Sequence, residues 1–183
     1  MDKILIVKIG GKLINDSHVL HRFLKSFAKI KTKKILIHGG GNQVTKMCKK
    51  LNLDIKIRNG RRITSIQDLE VATMIYAGSL NKTLVTKLQS FNCNSIGLSG
   101  ADANLIESVK RPVKEIDYGL VGDIKKINSI FLKNLIDENL TPVICSITHD
   151  KNGQLLNTNA DTISSEIAIS LSKYYIVNLI YCH

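Results

Sequence analysis

The sequence predicts an α/β fold, a three-layer αβα sandwich around a mainly parallel central sheet. Short apolar runs rich in β-branched residues alternate with segments whose apolar residues recur at helical spacing. This alternation favours parallel pairing through right-handed crossovers, with helices covering both faces of the sheet. The length of 183 residues is enough to bury a substantial core.

The first half of the chain is predicted to alternate strands and helices. In order, these are a buried strand at 3–9, a helix at 17–30, a buried strand at 33–38 and a helix at 42–51. Residues 54–64 are predicted to be a loop or short hairpin, because Asn59-Gly60 is a two-residue turn signal. Two helices follow, at about 66–76 and 79–90, with Gly78 as the break between them.

The second half is predicted to add antiparallel pairing. In order, we expect a strand at 94–98, antiparallel stretches at 104–109 and 120–127, a helix at 129–137, a buried strand at 142–147, a turn at 150–153, a short stretch at 154–156, a helix at 159–171 and an apolar strand at 174–180. The last strand is expected to be central, with the chain ending just after it. Because a buried strand needs cover on both faces, we expect a C-terminal part to be missing.

Composition argues against several classes of protein. The formal net charge is +11, but the basic residues are scattered and nucleic-acid motifs are absent. We therefore predict an anionic small-molecule substrate and no nucleic acid, with a basic nucleic-acid binder as the least favoured hypothesis. The four cysteines lack metal-type spacing, so no metal ligands are predicted. No apolar stretch matches a membrane span or a signal peptide, which predicts a cytoplasmic protein without membrane contact.

Two glycine-rich turns point most directly to function. Gly10-Gly11 and Gly39-Gly40-Gly41 each end a predicted strand and lead toward a helix, which exposes backbone N–H groups to an anion. Neither turn has the Walker or the dinucleotide-binding spacing. Lys8 lies in an otherwise apolar run, where a charge is costly unless it is paired or meets an anion. We predict a split phosphate cradle beside Lys8; the alternative is a lysine that reaches solvent.

Two polar segments have both structural and functional interpretations. Asn159 can cap a helix with Asp161 in its first turn, which is a sufficient structural explanation for that segment. Arg62 is a candidate bidentate clamp for a carboxylate, and the alternative is a solvated loop arginine.

Taken in order, these motifs resemble the amino-acid kinase family and are most similar to its N-acetylglutamate kinases. The matching segments are V-K-I-G-G-K (7–12), H-G-G-G (38–41), N-G-R-R-I-T (59–64), N-K-T-L-V (81–85), G-L-S-G-A-D (97–102) and L-N-T-N-A-D (156–161). The resemblance implies an enzyme that uses ATP and Mg²⁺ to phosphorylate the side-chain carboxylate of N-acetyl-L-glutamate in arginine biosynthesis. A related aminoadipate-type kinase is an alternative.

The resemblance also implies roles for individual residues. Lys8 would stabilise the transferring phosphoryl group, and Asp161 would orient the catalytic lysines. The phosphate-binding backbone groups would be those of Gly10, Gly11 and Gly39. The residues that bind the acyl-amino-acid would be Gly40, Gly41, Arg62 and Asn157. A carboxylate nucleophile is already ionised at pH 7, so no general base is needed, and His38 and His149 are expected to be structural.

Members of the family continue with a segment that holds most of the ADP contacts and a second catalytic lysine. By resemblance, residues 1–153 form the acyl-amino-acid-binding and phosphate-cradle lobe, and residues 154–183 begin a truncated nucleotide-binding lobe. A non-catalytic module that binds an acyl-amino-acid is a further alternative, because the ADP-binding segment is absent. Family members commonly dimerise, so the resemblance also allows for a homodimer.

Overall fold

The computed structural model describes residues 1–182. Its strands and helices in chain order are β1 (Lys3–Ile9), α1 (Gly11–Asn15), α2 (Ser17–Lys29), β2 (Lys33–His38), α3 (Gly41–Lys50), β3 (Ile57–Arg58), β4 (Arg61–Arg62), α4 (Ile66–Thr73), a π-helical segment (Met74–Leu80), α5 (Asn81–Ser90), β5 (Ser95–Leu98), a 3₁₀ turn (Asp102–Asn104), β6 (Ile106–Lys110), β7 (Gly122–Ile127), α6 (Ser129–Asp137), β8 (Thr141–Cys145), β9 (Ile147–His149), β10 (Leu155–Asn157), α7 (Ala160–Leu171) and β11 (Ile176–Cys182).

The central sheet has five strands in the order β11-β1-β2-β8-β5, and every pair is parallel. Alternate residues of each strand face opposite layers, because side chains along a strand point to opposite faces. On β2, Leu36 belongs to the core shared with α2, α3 and α5, while Ile35 and Ile37 belong to the core shared with α6 and α7. The predicted αβα sandwich with a mainly parallel sheet is therefore confirmed.

A second sheet lies beside the first, with strand order β10-β9-β6-β7. The predicted strand at 142–147 is divided between the two sheets, because β8 ends at Cys145 and β9 begins at Ile147. Ser146 lies at this junction, where its hydroxyl donates to the His38 carbonyl at 2.9 Å. The predicted antiparallel pairing of the segments around 104–109 and 120–127 is confirmed as β6 with β7.

The turn predicted at Asn59-Gly60 is confirmed. Both residues have positive φ, 49° and 72°, as a type I′ hairpin turn requires, and β3 and β4 pair on either side. The predicted break at Gly78 is wrong, because α4, the π-helical segment and α5 follow one another without interruption. The residues at their junctions, Thr73 and Leu80, keep right-handed helical dihedrals.

The last strand also differs from the prediction. It begins at Ile176, because the N–H groups of Tyr174 and Tyr175 bond to the Leu171 carbonyl and close the end of α7. Within residues 1–182, β11 pairs with β1 alone and forms the edge of the sheet, with exposed and half-buried side chains, rather than a central strand. In the same part of the chain, no helix combines the length and apolar character needed to cross a bilayer.

The packing of α2 against the core predicts that two of its residues contribute differently to the free energy of unfolding. Leu24 is fully buried, so Leu24→Ala is expected to lower the free energy of unfolding by about 2–5 kcal/mol. Val19 is 41% exposed on the same helix, and Val19→Ala is expected to change the free energy of unfolding by less than about 0.5 kcal/mol. Urea denaturation of the two variants measures both values. If both variants lost the same amount of unfolding free energy, α2 would not pack against the core as described.

Candidate active site

A cavity of about 360 Å³ opens at the carboxyl ends of β1 and β2. Parallel neighbours end at the same edge of a sheet, so the two glycine turns that follow these strands lie side by side. All the residues proposed from the sequence line this cavity: Lys8, Gly10, Gly11, Gly39, Gly40, Gly41, Arg62, Asn157 and Asp161. The structure therefore brings together segments that are far apart in the chain, while the role of each residue stays a prediction.

The two glycine turns present helix N-termini to the cavity. Gly10 precedes α1 and Gly40 precedes α3, and neither helix start has a side-chain cap. In α3, the Gly40 carbonyl accepts from the N–H groups of Gln43 and Val44 at 2.9 and 3.2 Å. The first N–H groups of a helix have no intrahelical acceptor, so those of Gly41 and Asn42 are available to an anion.

Gly40 occupies a position that requires glycine. Its φ is +144°, a region that other residues rarely adopt. A Cβ there would lie 2.8 Å from Leu80 Cδ2 and 3.1 Å from Tyr76 Cε1. Both side chains come from the π-helical segment, a form found frequently at functional sites. The helical region that is predicted to break at Gly78 instead packs closely against the second glycine turn.

Lys8 is held in the cavity by an ion pair with Asp161. The distance from Lys8 Nζ to Asp161 Oδ1 is 2.9 Å, and the two side chains are 8% and 46% exposed. Lys8 has the same parity along β1 as Ile4 and Ile6, which face the α7 layer, and Asp161 lies in the first turn of α7. The buried charge is thus paired, and the alternative of a lysine that reaches solvent does not hold.

The start of α7 is fixed by Asn159. Its side-chain oxygen accepts from the N–H groups of Asp161 and Thr162 at 2.8 and 3.0 Å, which confirms the predicted cap. The cap satisfies the helix N-terminus internally, so Asp161 has a fixed position from which to meet Lys8. The structural and functional interpretations of this segment are therefore compatible.

The Arg62 side chain is only 9% exposed at the cavity wall and is not a solvated loop arginine. Its Nη1 donates to Asp68 Oδ1 at 3.3 Å, and its Nη2 donates to Thr45 Oγ1 at 2.5 Å. Asp68 is itself fixed, because it forms a reciprocal capping box with Ser65 at the start of α4. A guanidinium has five N–H donors, so an arginine held by these two bonds still has donors for a ligand carboxylate.

Asn157 is placed by contacts with two other elements. Its Nδ2 donates to Thr64 Oγ1 at 3.1 Å, and its backbone N–H donates to the Leu120 carbonyl at 2.9 Å. These bonds tie β10 to the residues next to Arg62. Asn157 and Arg62 therefore belong to the same wall of the cavity.

Several lining residues were not found from the sequence, namely Arg61, Arg111, Thr45, Tyr76, Val121 and Ser146. Arg111 makes a bidentate contact with Asp123, in which Nη2 lies 2.6 Å from Oδ1 and Nε lies 3.3 Å from Oδ2. That contact depends on the register of β6 with β7, which the sequence does not reveal. Tyr76 was assigned only to a helix, and its contact with Gly40 depends on the π-helical segment.

The electrostatics of the cavity suit an anion. Its lining includes four basic side chains, Lys8, Arg61, Arg62 and Arg111, against the single carboxylate of Asp161. Within the described residues, no three or more His, Cys, Asp and Glu side chains cluster as a metal site would require. The excess of basic side chains in the lining suits a negatively charged ligand.

Fold and site together define an α/β protein with a basic cavity at the carboxyl ends of parallel strands. Residues 3–179 match the profile of the amino acid kinase family. The chain therefore belongs to the amino acid kinase family.

Individual relatives agree with this assignment. An acetylglutamate kinase of Cytophaga hutchinsonii is 50% identical over 183 residues, which are 100% of this chain and 69% of the relative. An acetylglutamate kinase of Parabacteroides distasonis is 47% identical, over 100% of this chain and 71% of the relative. The crystal structure of smu.665 from Streptococcus mutans UA159 superposes with a TM-score of 0.80 at 25% identity, covering 92% of this chain and 69% of that one.

Proposed function

We propose that this chain forms the substrate- and phosphate-binding part of an enzyme that transfers the γ-phosphoryl group of ATP to the side-chain carboxylate of N-acetyl-L-glutamate, a step of arginine biosynthesis. One observation carries the proposal. The Lys8–Asp161 pair, the two glycine turns and Arg62 line a single basic cavity. The name shared by relatives that are nearly half identical to this chain supports the choice of substrate.

The proposed chemistry needs charge and alignment rather than proton transfer. A carboxylate oxygen attacks the γ-phosphorus, a new P–O bond forms, and the bond to ADP breaks. The nucleophile is already ionised at pH 7, because the reference pKa of a glutamate side chain is about 4.3. No general base is required. The products are an acyl phosphate and ADP.

The residues of this chain would divide the work between the two substrates. Arg62 would hold the α-carboxylate, and Asn157 would bind the acyl-amino group beside it. The N–H groups of the glycine turns and the Lys8 amine would receive the negative charge of the transferring phosphoryl group. Asp161 would hold the Lys8 amine in place through their 2.9 Å contact.

The cavity fits the phosphate of ATP better than a free metal ion. The glycine turns leave backbone N–H groups open, whereas Asp161 is the single carboxylate among the described lining residues. Mg²⁺ is usually carried by substrate phosphates with one or two carboxylates and several waters. Bound in that way, Mg²⁺ would neutralise phosphate charge, and Asp161 is the carboxylate of the described lining that could help to hold it.

The proposal keeps the division of the chain into two lobes. Residues 1–153 would bind the acyl-amino-acid and cradle the phosphate, and residues 154–183 would begin the nucleotide-binding lobe. The Lys8–Asp161 contact would join the two lobes, because Asp161 reaches from the second segment into the cavity of the first. The homodimer and the cytoplasmic location expected from the resemblance stay predictions.

The direct test is acyl phosphate formation by the full-length protein. With ATP, Mg²⁺ and N-acetyl-L-glutamate, hydroxylamine is expected to trap a hydroxamate at a rate that depends on enzyme concentration. N-acetyl-2-aminoadipate, longer by one methylene, is the matched control substrate. Preference for the longer substrate would favour the aminoadipate-type alternative. Binding of N-acetyl-L-glutamate without any turnover would favour the non-catalytic module.

Arg62 predicts a change in substrate affinity. Arg62→Ala in the full-length protein is expected to raise the KM for N-acetyl-L-glutamate by about 10- to 100-fold, the loss of a charge-assisted bidentate contact, with kcat nearly unchanged. Arg58→Ala is the matched control, because Arg58 is exposed on β3 of the same hairpin and does not line the cavity. A fall in kcat as large as the rise in KM would contradict a clamp role for Arg62.

A further inference from the structure

His38 is a fully buried histidine that the proposed chemistry does not use. It ends β2 immediately before the second glycine turn. Its ring nitrogens have separate partners: Nδ1 lies 2.9 Å from the Gly39 carbonyl oxygen, and Nε2 lies 3.0 Å from Asn81 Nδ2. The ring thus connects the start of α5 to the peptide that follows β2.

The orientation of the Asn81 amide is determined by its other contacts. Asn81 Nδ2 lies 2.9 Å from the Val143 carbonyl oxygen, which can only accept a hydrogen bond. The Lys82 amine lies 3.4 Å from Asn81 Oδ1 and can only donate. A Cβ on Gly97 would lie 1.9 Å from the same oxygen, so glycine at this position leaves room for the amide.

The amide orientation then determines the tautomer of His38. Because Asn81 Nδ2 donates to the ring, Nε2 must be unprotonated, and Nδ1 must carry the hydrogen that it donates to Gly39. A second ring proton would face the N–H of Asn81. Burial acts in the same direction and lowers the pKa of His38 to about 4. The ring is therefore neutral at pH 7.

The hydrogen bond from His38 restricts the Gly39–Gly40 peptide. The described chain contains no cis peptide bonds, and in a planar trans peptide the N–H points opposite to the carbonyl. A Gly39 carbonyl bound to the buried ring therefore turns the Gly40 N–H away from the ring. Both glycines line the cavity, and glycine at position 40 places no side chain over this N–H.

We propose that His38, held by Asn81 as the Nδ1–H tautomer, is a positioning residue. It would orient the Gly40 N–H toward an anionic group that binds in the cavity. The catalytic part of this inference rests on the proposed function, while the tautomer and the peptide orientation do not. His38 acts through Gly40 and does not touch the reacting atoms.

The tautomer is tested on the unaltered full-length protein. Long-range ¹H–¹⁵N correlation NMR of histidine-labelled protein at pH 7 distinguishes a protonated from an unprotonated ring nitrogen, and the His38 signals are identified by their loss in His38→Asn. The expected result is a protonated Nδ1 and an unprotonated Nε2. A protonated Nε2, alone or in an imidazolium, would overturn the proposal.

Two variants separate positioning from core packing. In His38→Asn, the new amide group lies near the former position of Nδ1 and can still donate a hydrogen bond to the Gly39 carbonyl. In His38→Gln, the amide group lies near the former position of Nε2, so the donor to Gly39 is lost. His38→Gln is expected to lower kcat by about 100-fold, the scale of a 1 Å misplacement, with little change in either KM. His38→Asn is expected to recover most of that loss. Equal kcat values in the two variants would overturn the proposal.

Binding of inorganic phosphate distinguishes failure of this inference from failure of the proposed function. The Gly40 amide resonance is expected to shift on addition of phosphate in the native protein and in His38→Asn, and to shift much less in His38→Gln. If the native protein forms no acyl phosphate but shows this pattern, the proposed reaction fails and the positioning role stands. If all three proteins respond to phosphate alike, the positioning role fails.

Discussion

Replacement of Lys8 by alanine is expected to lower kcat of the full-length protein by about 1,000-fold. Among the described residues that line the cavity, Lys8 is the one lysine, and its buried amine pairs with Asp161. Preorganised positive charge in a site that excludes water stabilises a transferring phosphoryl group far more than water does, and loss of one such donor costs about 100- to 1,000-fold. Hydroxylamine trapping under saturating substrates measures the change.

The fold should tolerate the same substitution. Asp161 is 46% exposed, so solvent screens part of its attraction to Lys8, and the lost ion pair is expected to cost about 1 kcal/mol of unfolding free energy or less. Lys12→Ala is the matched control, because Lys12 is exposed in the helix that follows the same turn and does not line the cavity. Comparable kcat values for the two variants would remove Lys8 from the mechanism.

Gly40→Ala is expected to damage both stability and activity. The added methyl group would lie 2.8 Å from Leu80 Cδ2 and 3.1 Å from Tyr76 Cε1, in a residue whose φ of +144° alanine rarely adopts. We expect a loss of about 1–3 kcal/mol of unfolding free energy, the usual scale of backbone strain. Displacement of the Gly40 N–H by about 1 Å should also lower kcat by about 100-fold. Thermal unfolding and steady-state kinetics measure the two effects.

Gly78→Ala, within the π-helical segment, is expected to be tolerated, in contrast to Gly40→Ala. A Cβ at Gly78 meets no atom within 4 Å, and its φ is not in the left-handed region. Alanine restricts the unfolded chain more than glycine does, so this variant is expected to be unchanged or more stable by about 0.4–1 kcal/mol, with normal kcat. If both alanine variants lost stability equally, the strain assigned to Gly40 would be disproved.

The sheet and most helices could be predicted because each is specified by its own local pattern. The apolar runs at β1, β2 and β8 and the turn at Asn59-Gly60 need no information from distant residues. The failures have a different origin. Gly78 favours a break by local propensity, but the neighbouring backbone stays helical. The change of sheet at Ser146 depends on which strands lie on either side of it, which a single apolar run cannot reveal.

The candidate site could be predicted where glycine turns and an isolated charged residue in an apolar run indicate anion binding. Lys8, Arg62 and Asp161 were identified by residue type and motif, and the parallel sheet brings them together. Arg111 and Tyr76 were missed because their place in the cavity depends on strand register and on a π-helical segment. His38 was expected to be structural, and only its two hydrogen bonds, to Gly39 and Asn81, indicate how a buried histidine reaches the site.

The position of β1 in the sheet has a consequence for synthesis of the protein. β1 is synthesised long before its partner β11, with which it pairs in a register that places Lys3 opposite Ile176. Pairing of segments so distant in sequence is slow, and an unpaired strand edge is prone to association with other chains. Until β11 has been made, the nascent chain therefore presents one open edge of the strand that carries Lys8. We expect chaperone protection to matter most during that interval of translation.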